Sequence, residues 1–220
     1  MTMRRGRFIS FEGVDGAGKS THIQRVKEAI VSRGHRCEVT REPGGTALSE
    51  KIRELVLHDD MQTRTELLLM YAARVEHVET RIKPALNAGI WILTDRFEDS
   101  SFAYQGQGNN PGWPECEALS QWALNGFCPD LTFLFDLPVS VSMQRVTARQ
   151  GQTDRFEVRP QAYFELVRQG FLRRANEHPG RIQVLDAQQP EDAVGKQVIE
   201  IFLEFMKLND GLDAISEGQV

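Results

Sequence analysis

Lys19 and Ser20 close the run Gly13-Val14-Asp15-Gly16-Ala17-Gly18-Lys19-Ser20, which satisfies G-x-x-x-x-G-K-[ST] at every fixed position. Each residue type in that pattern suits phosphate chemistry. Glycines let backbone N–H groups turn inward around phosphate oxygens. A lysine brings a mobile positive charge, and a serine hydroxyl is a ligand for Mg²⁺. After Thr21 the apolar residues Ile23, Val26, Ala29 and Ile30 recur with helical spacing. The positive end of such a helix points at bound phosphates. The β-prone stretch Phe8–Phe11 precedes the loop. Strand, glycine loop and helix in this order predict a nucleoside triphosphate site over Gly13–Thr21.

Other charged residues are candidates to work with it. Asp95 and Arg96 end a continuous apolar run. Arg145, Arg149 and Arg155 surround the polar, glycine-containing segment 150–155. Cations on a movable lid neutralise charge on a transferring phosphoryl group while excluding water. The same three arginines also suit a solvated basic helix end, so the residues alone leave both readings open. No N-K-x-D tetrapeptide occurs, which counts against a guanine-reading switch. A length of 220 residues counts against a motor with an added translocation domain.

The elements that must position these residues follow from periodicity and turn chemistry. Cys37–Arg41, Ile90–Thr94, Leu131–Asp136 and Arg181–Asp186 read as strands beside Phe8–Phe11. Between them lie helical patterns. Thr46 is placed to cap one of these, with Leu48, Ile52, Leu55 and Val56 on its apolar side and Arg53 on another face. A long helix is expected from about Thr65 to Leu86, apolar nearly all round at Leu67–Tyr71. Further helices are expected from Pro114, Val139, Pro160 and Glu191. Residues 100–112, with three glycines and a proline, read as irregular. Strands alternating with helices predict an α/β fold: a five-stranded parallel sheet with helices on both faces. Ligand-binding residues should then gather at the strand C-terminal ends.

Bulk properties narrow the classes. The chain is 40% hydrophobic and 26% charged, with a net charge of −5, which disfavours coating nucleic acid. Cys37, Cys116 and Cys128 form no C-x-x-C pair and are odd in number, pointing to a reduced, cytoplasmic protein. No apolar run approaches the roughly 20 residues of a membrane span. One domain is expected over residues 1–208, with a short lid at about 149–157 and a frayed tail over 209–220.

Longer stretches resemble the bacterial thymidylate kinases. They are Phe11–Thr21, Thr40-Arg-Glu-Pro-Gly-Gly-Thr46, Tyr71-Ala-Ala-Arg74, Thr94-Asp-Arg96, Ser101 with Ala103-Tyr-Gln-Gly106, Pro129–Thr132, and Arg149 with Asp154-Arg155. They cover residues 8 to about 186 in the family's order. The glycine loop is generic to P-loop NTPases. R-E-P-G-G-T together with D-R and A-Y-Q-G is far more specific.

The resemblance implies a P-loop NTPase three-layer sandwich that transfers the γ-phosphate of ATP to dTMP, with Mg²⁺, as a homodimer. It implies that Gly13, Val14, Asp15, Gly16, Ala17, Gly18, Lys19, Ser20 and Thr21 hold ATP, with Arg145 stacking on adenine beside Ala187–Pro190. Ser20 and Asp95 would sit at the metal. Arg96 and Arg53 would grip the dTMP phosphate, and Asp15 would accept from the sugar 3′-hydroxyl and from a phosphate-gripping arginine. Arg74 and Gln105 would read thymine, with Ser101 and Tyr104 crowding the far side. Met70 stands where many members place a stacking phenylalanine. Lys19, Arg96, Asp15 and the lid arginines Arg149 and Arg155 would serve the transfer itself. Read as residues alone, Asp15 also suits a plain turn, Met70 a core position and Arg145 a surface position. Another nucleotide kinase and an ATP-dependent switch protein are the rival readings.

Overall fold

The computed structural model describes residues 5–108, 112–148, 155–156 and 159–216, with 209–216 described by backbone alone. Five strands form one sheet: β1 (Phe8–Glu12), β2 (Cys37–Arg41), β3 (Trp91–Asp95), β4 (Leu131–Asp136) and β5 (Ile182–Asp186). Their order is β2-β3-β1-β4-β5, and every pairing is parallel. β1 lies in the centre, with β3 on one side and β4 on the other. The chain leaves β1 for β2 on one flank and later returns to build β4 and β5 on the other. A crevice opens where the winding reverses, at the C-terminal end of β1.

The alternation of side chains along each strand feeds two cores. Ile9, Phe11 and Leu93 pack with Ile23, Val26 and Ile30 of α1 (Lys19–Val31) and with Val194, Val198 and Phe202 of α9 (Glu191–Ser216). Phe8 and Ile92 face the opposite side, against Leu67, Tyr71, Val78, Ile82 and Leu86. This is the expected sandwich with helices on both faces.

Three expectations are corrected. The single helix expected at 65–86 is α3 (Thr63–His77), a π-helical turn at Val78–Ile82, and α4 (Lys83–Asn87). Pro84 lacks a backbone N–H, and the wider turn falls just before it. Residues 100–112 are not irregular through their first half. They follow α5 (Glu98–Ser101) into a second π-helical turn, Phe102–Gln107. Burial drives that order: Phe102, Ala103, Tyr104 and Gln105 are all buried. Lastly, helical backbone continues past 209, with α9 running on to Ser216. Extending a formed helix is cheap once its first turns are nucleated. The remaining helices are α2 (Ala47–His58), α6 (Trp113–Leu124), α7 (Val139–Thr147) and α8 (Gln161–Glu177). Thr46 caps α2 as expected, its Oγ1 accepting from the Ser49 N–H at 3.1 Å. Among the described residues no helix is long and apolar enough to cross a membrane.

Candidate functional site

The loop after β1 takes its shape from its glycines. Gly13 has φ +135°, and a Cβ there would lie 2.5 Å from the Phe135 carbonyl oxygen. Gly16 has φ +78°, and a Cβ there would lie 2.8 Å from the Ser142 carbonyl oxygen. Only glycine meets both demands. Neighbours hold the loop from behind. Ser142 Oγ donates to the Asp15 carbonyl at 2.7 Å, and Arg145 Nη1 donates to the Gly16 carbonyl at 3.3 Å. Arg145 Nη2 also donates to the Ala187 carbonyl at 3.1 Å, so α7 and the turn after β5 meet at the loop. Val14 and Ala17 turn their side chains into the core and present only backbone.

A cleft of about 620 Å³ opens above the loop. Asp15, Gly16, Gly18, Lys19, Ser20 and Thr21 of the loop and helix line it together with Asp95, Arg96, Arg53 and Arg145. A smaller compartment of about 90 Å³ continues from it and shares Asp15, Glu42, Arg53 and Arg96. Its far wall is mostly apolar, with Val56, Leu57, Met70, Tyr104 and Phe156, and includes the amide of Gln105. The wide turn Phe102–Gln107 brings the consecutive residues Tyr104 and Gln105 into the same wall.

Charge is concentrated where the two compartments join. Arg96 Nη2 donates to Asp15 Oδ1 at 2.7 Å, and Arg96 Nη1 donates to the Gly13 carbonyl at 2.9 Å. Its guanidinium also lies 5.1 Å from the centre of the Tyr104 ring. Burial would depress the Arg96 pKa, but Asp15, Tyr104 and Asp95 together hold it well above its ordinary value. Lys19 is buried, with Nζ 3.3 Å from the Gly13 carbonyl and 3.7 Å from Asp95 Oδ1. Burial, and then Arg96, lower the Lys19 pKa. Asp95 Oδ1 is itself buried and has no hydrogen-bond partner among the described residues. An anionic oxygen beside a phosphate loop, with the Ser20 hydroxyl in the same cleft, fits the oxygen donors that a hard divalent cation would need.

Other expected site residues lie elsewhere. Arg74 is fully buried behind the small compartment. Its Nε donates to Glu42 Oε2 at 2.7 Å, its Nη1 to Ser101 Oγ at 3.0 Å and its Nη2 to the Phe97 carbonyl at 3.1 Å. Ser101 stands with it in the second layer rather than on the wall, and the neighbouring Ser100 lines the wall instead. Arg53 reaches the cleft while Nη1 donates to the Pro43 carbonyl at 3.0 Å. Arg155 is not among the residues of the phosphate cleft. Its Nη2 donates to Glu66 Oε2 at 2.7 Å and to the Val56 carbonyl at 3.0 Å. The reason is electrostatic: Glu66 is a fully buried carboxylate and requires a cation. Arg149 and Asp154 lie outside the described residues.

Sequence reasoning missed four acids and hydroxyls that build this region: Glu12, Glu42, Glu66 and Ser100. Glu66 carried a signal, since it sits one turn before Met70 on a helix that turns apolar at Leu67. Glu42 lay inside the R-E-P-G-G-T stretch without a role of its own.

Known proteins match this chain across almost its whole length. The family model described as thymidylate kinase covers residues 11–198. A thymidylate kinase of Methylobacillus flagellatus is 47% identical over 201 residues, which is 91% of this chain and 98% of the relative. One from Nitrosomonas eutropha is 47% identical over 205 residues, 92% of this chain and 95% of its own. One from Thiobacillus denitrificans is 48% identical over 196 residues, 89% and 96% of the two chains. A glycine loop opening on a charged cleft, an apolar compartment beside it and matches of this extent agree: the chain belongs to the thymidylate kinase family.

Proposed function

We propose that this chain, a P-loop kinase domain over residues 1–208, transfers the γ-phosphoryl group of ATP to dTMP, giving dTDP and ADP for dTTP synthesis. The observation that carries this reading is the Asp15–Arg96 contact of 2.7 Å. It stands where a phosphate-binding cleft and a small, mostly apolar compartment share a wall. One compartment suits the triphosphate of a donor, the other the base of an acceptor, and the acceptor phosphate lies between them.

The attacking group is a phosphate oxygen already ionised near neutral pH, so the protein need not supply a strong base. Its task is alignment and charge neutralisation. Lys19 and the N-terminus of α1 hold the donor phosphates. Arg96 and Arg53 grip the acceptor phosphate with planar donor groups suited to its oxygens. Asp15 keeps Arg96 in register and accepts from the sugar hydroxyl. Arg145, tied to both Gly16 and Ala187, offers its face to adenine. Met70 and Tyr104 pack on the acceptor base, and Gln105 and Arg74 select it. Asp95 and Ser20 hold Mg²⁺, which supplies charge neutralisation at the transferring phosphates when bound. Arg149 and Arg155 approach the phosphates from the lid when nucleotide is bound, which for Arg155 means leaving Glu66.

Two further proposals concern setting. The exposed leucines Leu48, Leu55 and Leu68 on α2 and α3 support a homodimer built on those helices. The free thiols Cys37, Cys116 and Cys128 support a reducing, cytoplasmic compartment. The central test is an ADP-release assay with ATP and a panel of dTMP, dUMP, dCMP and dGMP. ADP should form with dTMP at the highest kcat/KM. ATP hydrolysis indifferent to every monophosphate would overturn the reading.

A further inference from the structure

Glu66 is a fully buried carboxylate on α3, one turn before Met70. Among the described residues two side chains reach it. Gln105 Nε2 donates to Oε1 at 2.8 Å, and Arg155 Nη2 donates to Oε2 at 2.7 Å. An ionised carboxylate only accepts hydrogen bonds. The amide of Gln105 must therefore turn its NH₂ group toward Glu66, because the reverse orientation would set two acceptors against each other. The consequence falls on the other end of the amide. Gln105 Oε1 is buried and has no partner among the described residues. Gln105 lines the small compartment together with Met70 and Tyr104. A buried acceptor left without a donor is destabilising, and a ligand N–H that meets it recovers that loss.

We propose that Glu66 is a positioning residue for base selection. It locks Gln105 as an acceptor, so the compartment takes a pyrimidine whose N3 carries a proton. Thymine and uracil have that N3–H. Cytosine has a lone pair there and would face Gln105 Oε1 acceptor to acceptor. While it remains at Glu66, Arg155 balances the charge of the same carboxylate. The inference rests on the reading of this compartment as the acceptor-base site, and it assigns the discrimination to a residue that does not itself line the compartment.

The substitution Glu66→Gln keeps the size of the side chain and removes the constraint, since an amide can face Gln105 with either end. The measurement is the ratio of kcat/KM for dTMP to that for dCMP. In Glu66→Gln this ratio should fall by about tenfold or more. Gln105→Met should lower it too, and the double variant should fall no further than Gln105→Met alone. An unchanged ratio in Glu66→Gln, even with a lowered Tm, would reduce Glu66 to a structural role and overturn the proposal. So would additive losses in the double variant. The unsubstituted chain provides an arm that depends on no variant's folding. dTMP methylated at N3 should bind at least about tenfold more weakly than dTMP, and equal binding overturns the proposal. If the unsubstituted chain releases no ADP with dTMP, the proposed function fails first. Activity on dTMP with an unaltered ratio removes only the role of Glu66.

Discussion

Glu12 Oε1 accepts a hydrogen bond of 2.7 Å from the backbone N–H of Phe97, the residue directly after Arg96. Arg96 has φ +69°, a left-handed conformation that costs a non-glycine residue about 1–3 kcal/mol. The surroundings hold it there. Arg96 N–H donates to the Phe11 carbonyl at 3.0 Å, and Thr94 Oγ1 donates to the Arg96 carbonyl at 2.8 Å. Glu12 Oε2 accepts from Ser100 Oγ at 2.6 Å, and Ser100 Oγ in turn accepts from Arg96 Nη1 at 3.1 Å. Glu12 thus braces Arg96 through both backbone and side chain. Burial, then Asp99, push the Glu12 pKa upward.

Glu12→Ala removes both braces. It should lower kcat/KM for dTMP by about 100-fold through a displaced guanidinium. It should also cost about 1–3 kcal/mol for the stranded Phe97 N–H. Glu12→Gln retains an acceptor for that N–H and should stay close to the parent on both measures. Steady-state kinetics beside urea unfolding decide the matter. Normal dTMP turnover in Glu12→Ala would contradict the brace.

Lys19 separates activity from stability in the opposite sense. Its amine is buried, and its pKa is lowered by that burial and by Arg96. The unfolded chain therefore binds this proton more tightly than the folded chain. Stability rises with pH between the folded pKa and the ordinary lysine value, and the charged amine is a burden on the folded state below that window. Lys19→Met should leave the nucleotide-free protein within about 1 kcal/mol of the parent at neutral pH. Its kcat should fall by about 1,000-fold or more, as expected when a main source of positive charge at the phosphates is lost. Circular dichroism on heating and the ADP-release assay supply the two readouts. Turnover near the parent's would remove Lys19 from the reaction.

Asp99 gives the acid limb of the stability profile. Its carboxylate accepts from Arg174 Nε at 2.8 Å and from Arg181 Nη1 and Nη2 at 2.7 and 2.9 Å. Burial alone would raise its pKa, but Arg181 and Arg174 hold it well below the usual carboxylate range. A depressed folded pKa contributes stability that is fully present above the unfolded value and is lost as pH falls toward the folded one. Asp99→Asn should cost about 3–5 kcal/mol at pH 7, since it strands buried arginine charge. That deficit should shrink below about pH 4, where Asp99 of the unfolded parent begins to take up a proton while the folded one stays ionised. Urea unfolding at a series of pH values tests this. A deficit that stays constant down to about pH 3 would mean the ion pairs contribute nothing to the acid limb.

How far the site could be read from the chain depended on how far apart its partners lie. Gly13 to Thr21 is contiguous, so its loop, strand and helix were legible together. Asp95 and Arg96 were legible because they end an apolar run, and strands deliver ligands at that edge. Glu12, Glu42 and Glu66 were not legible as structural acids. Their partners Phe97, Arg74 and Gln105 lie 85, 32 and 39 positions away, and nothing local marks a carboxylate for burial. The segment 100–107 failed for a related reason. Its glycines argue for a loop, but packing of Phe102 on Trp113, with ring centres 5.0 Å apart, and of Tyr104 on Phe171 overrides that local preference.

Arg74 shows what that blindness does to a prediction. The family resemblance assigns it only to reading thymine, and on that role alone removing it should raise KM for dTMP and leave ATP untouched. In the structure it is also half of a buried ion pair with Glu42, whose other oxygen lies 3.0 Å from His77 Nδ1. Burial opposes the Arg74 charge, and Glu42 first among its neighbours sustains it. Arg74→Met alone should therefore cost about 3–5 kcal/mol, because it leaves the Glu42 carboxylate buried and uncompensated. Arg74→Met with Glu42→Leu removes both charges and should recover much of that loss. The two effects then come apart. If Arg74 donates to the base itself, KM for dTMP stays raised in the stabilised double variant, while KM for ATP matches the parent. If the rise in KM were only a symptom of a loosened wall, it would disappear along with the instability, and the contact with the base would have to be assigned to Gln105 alone.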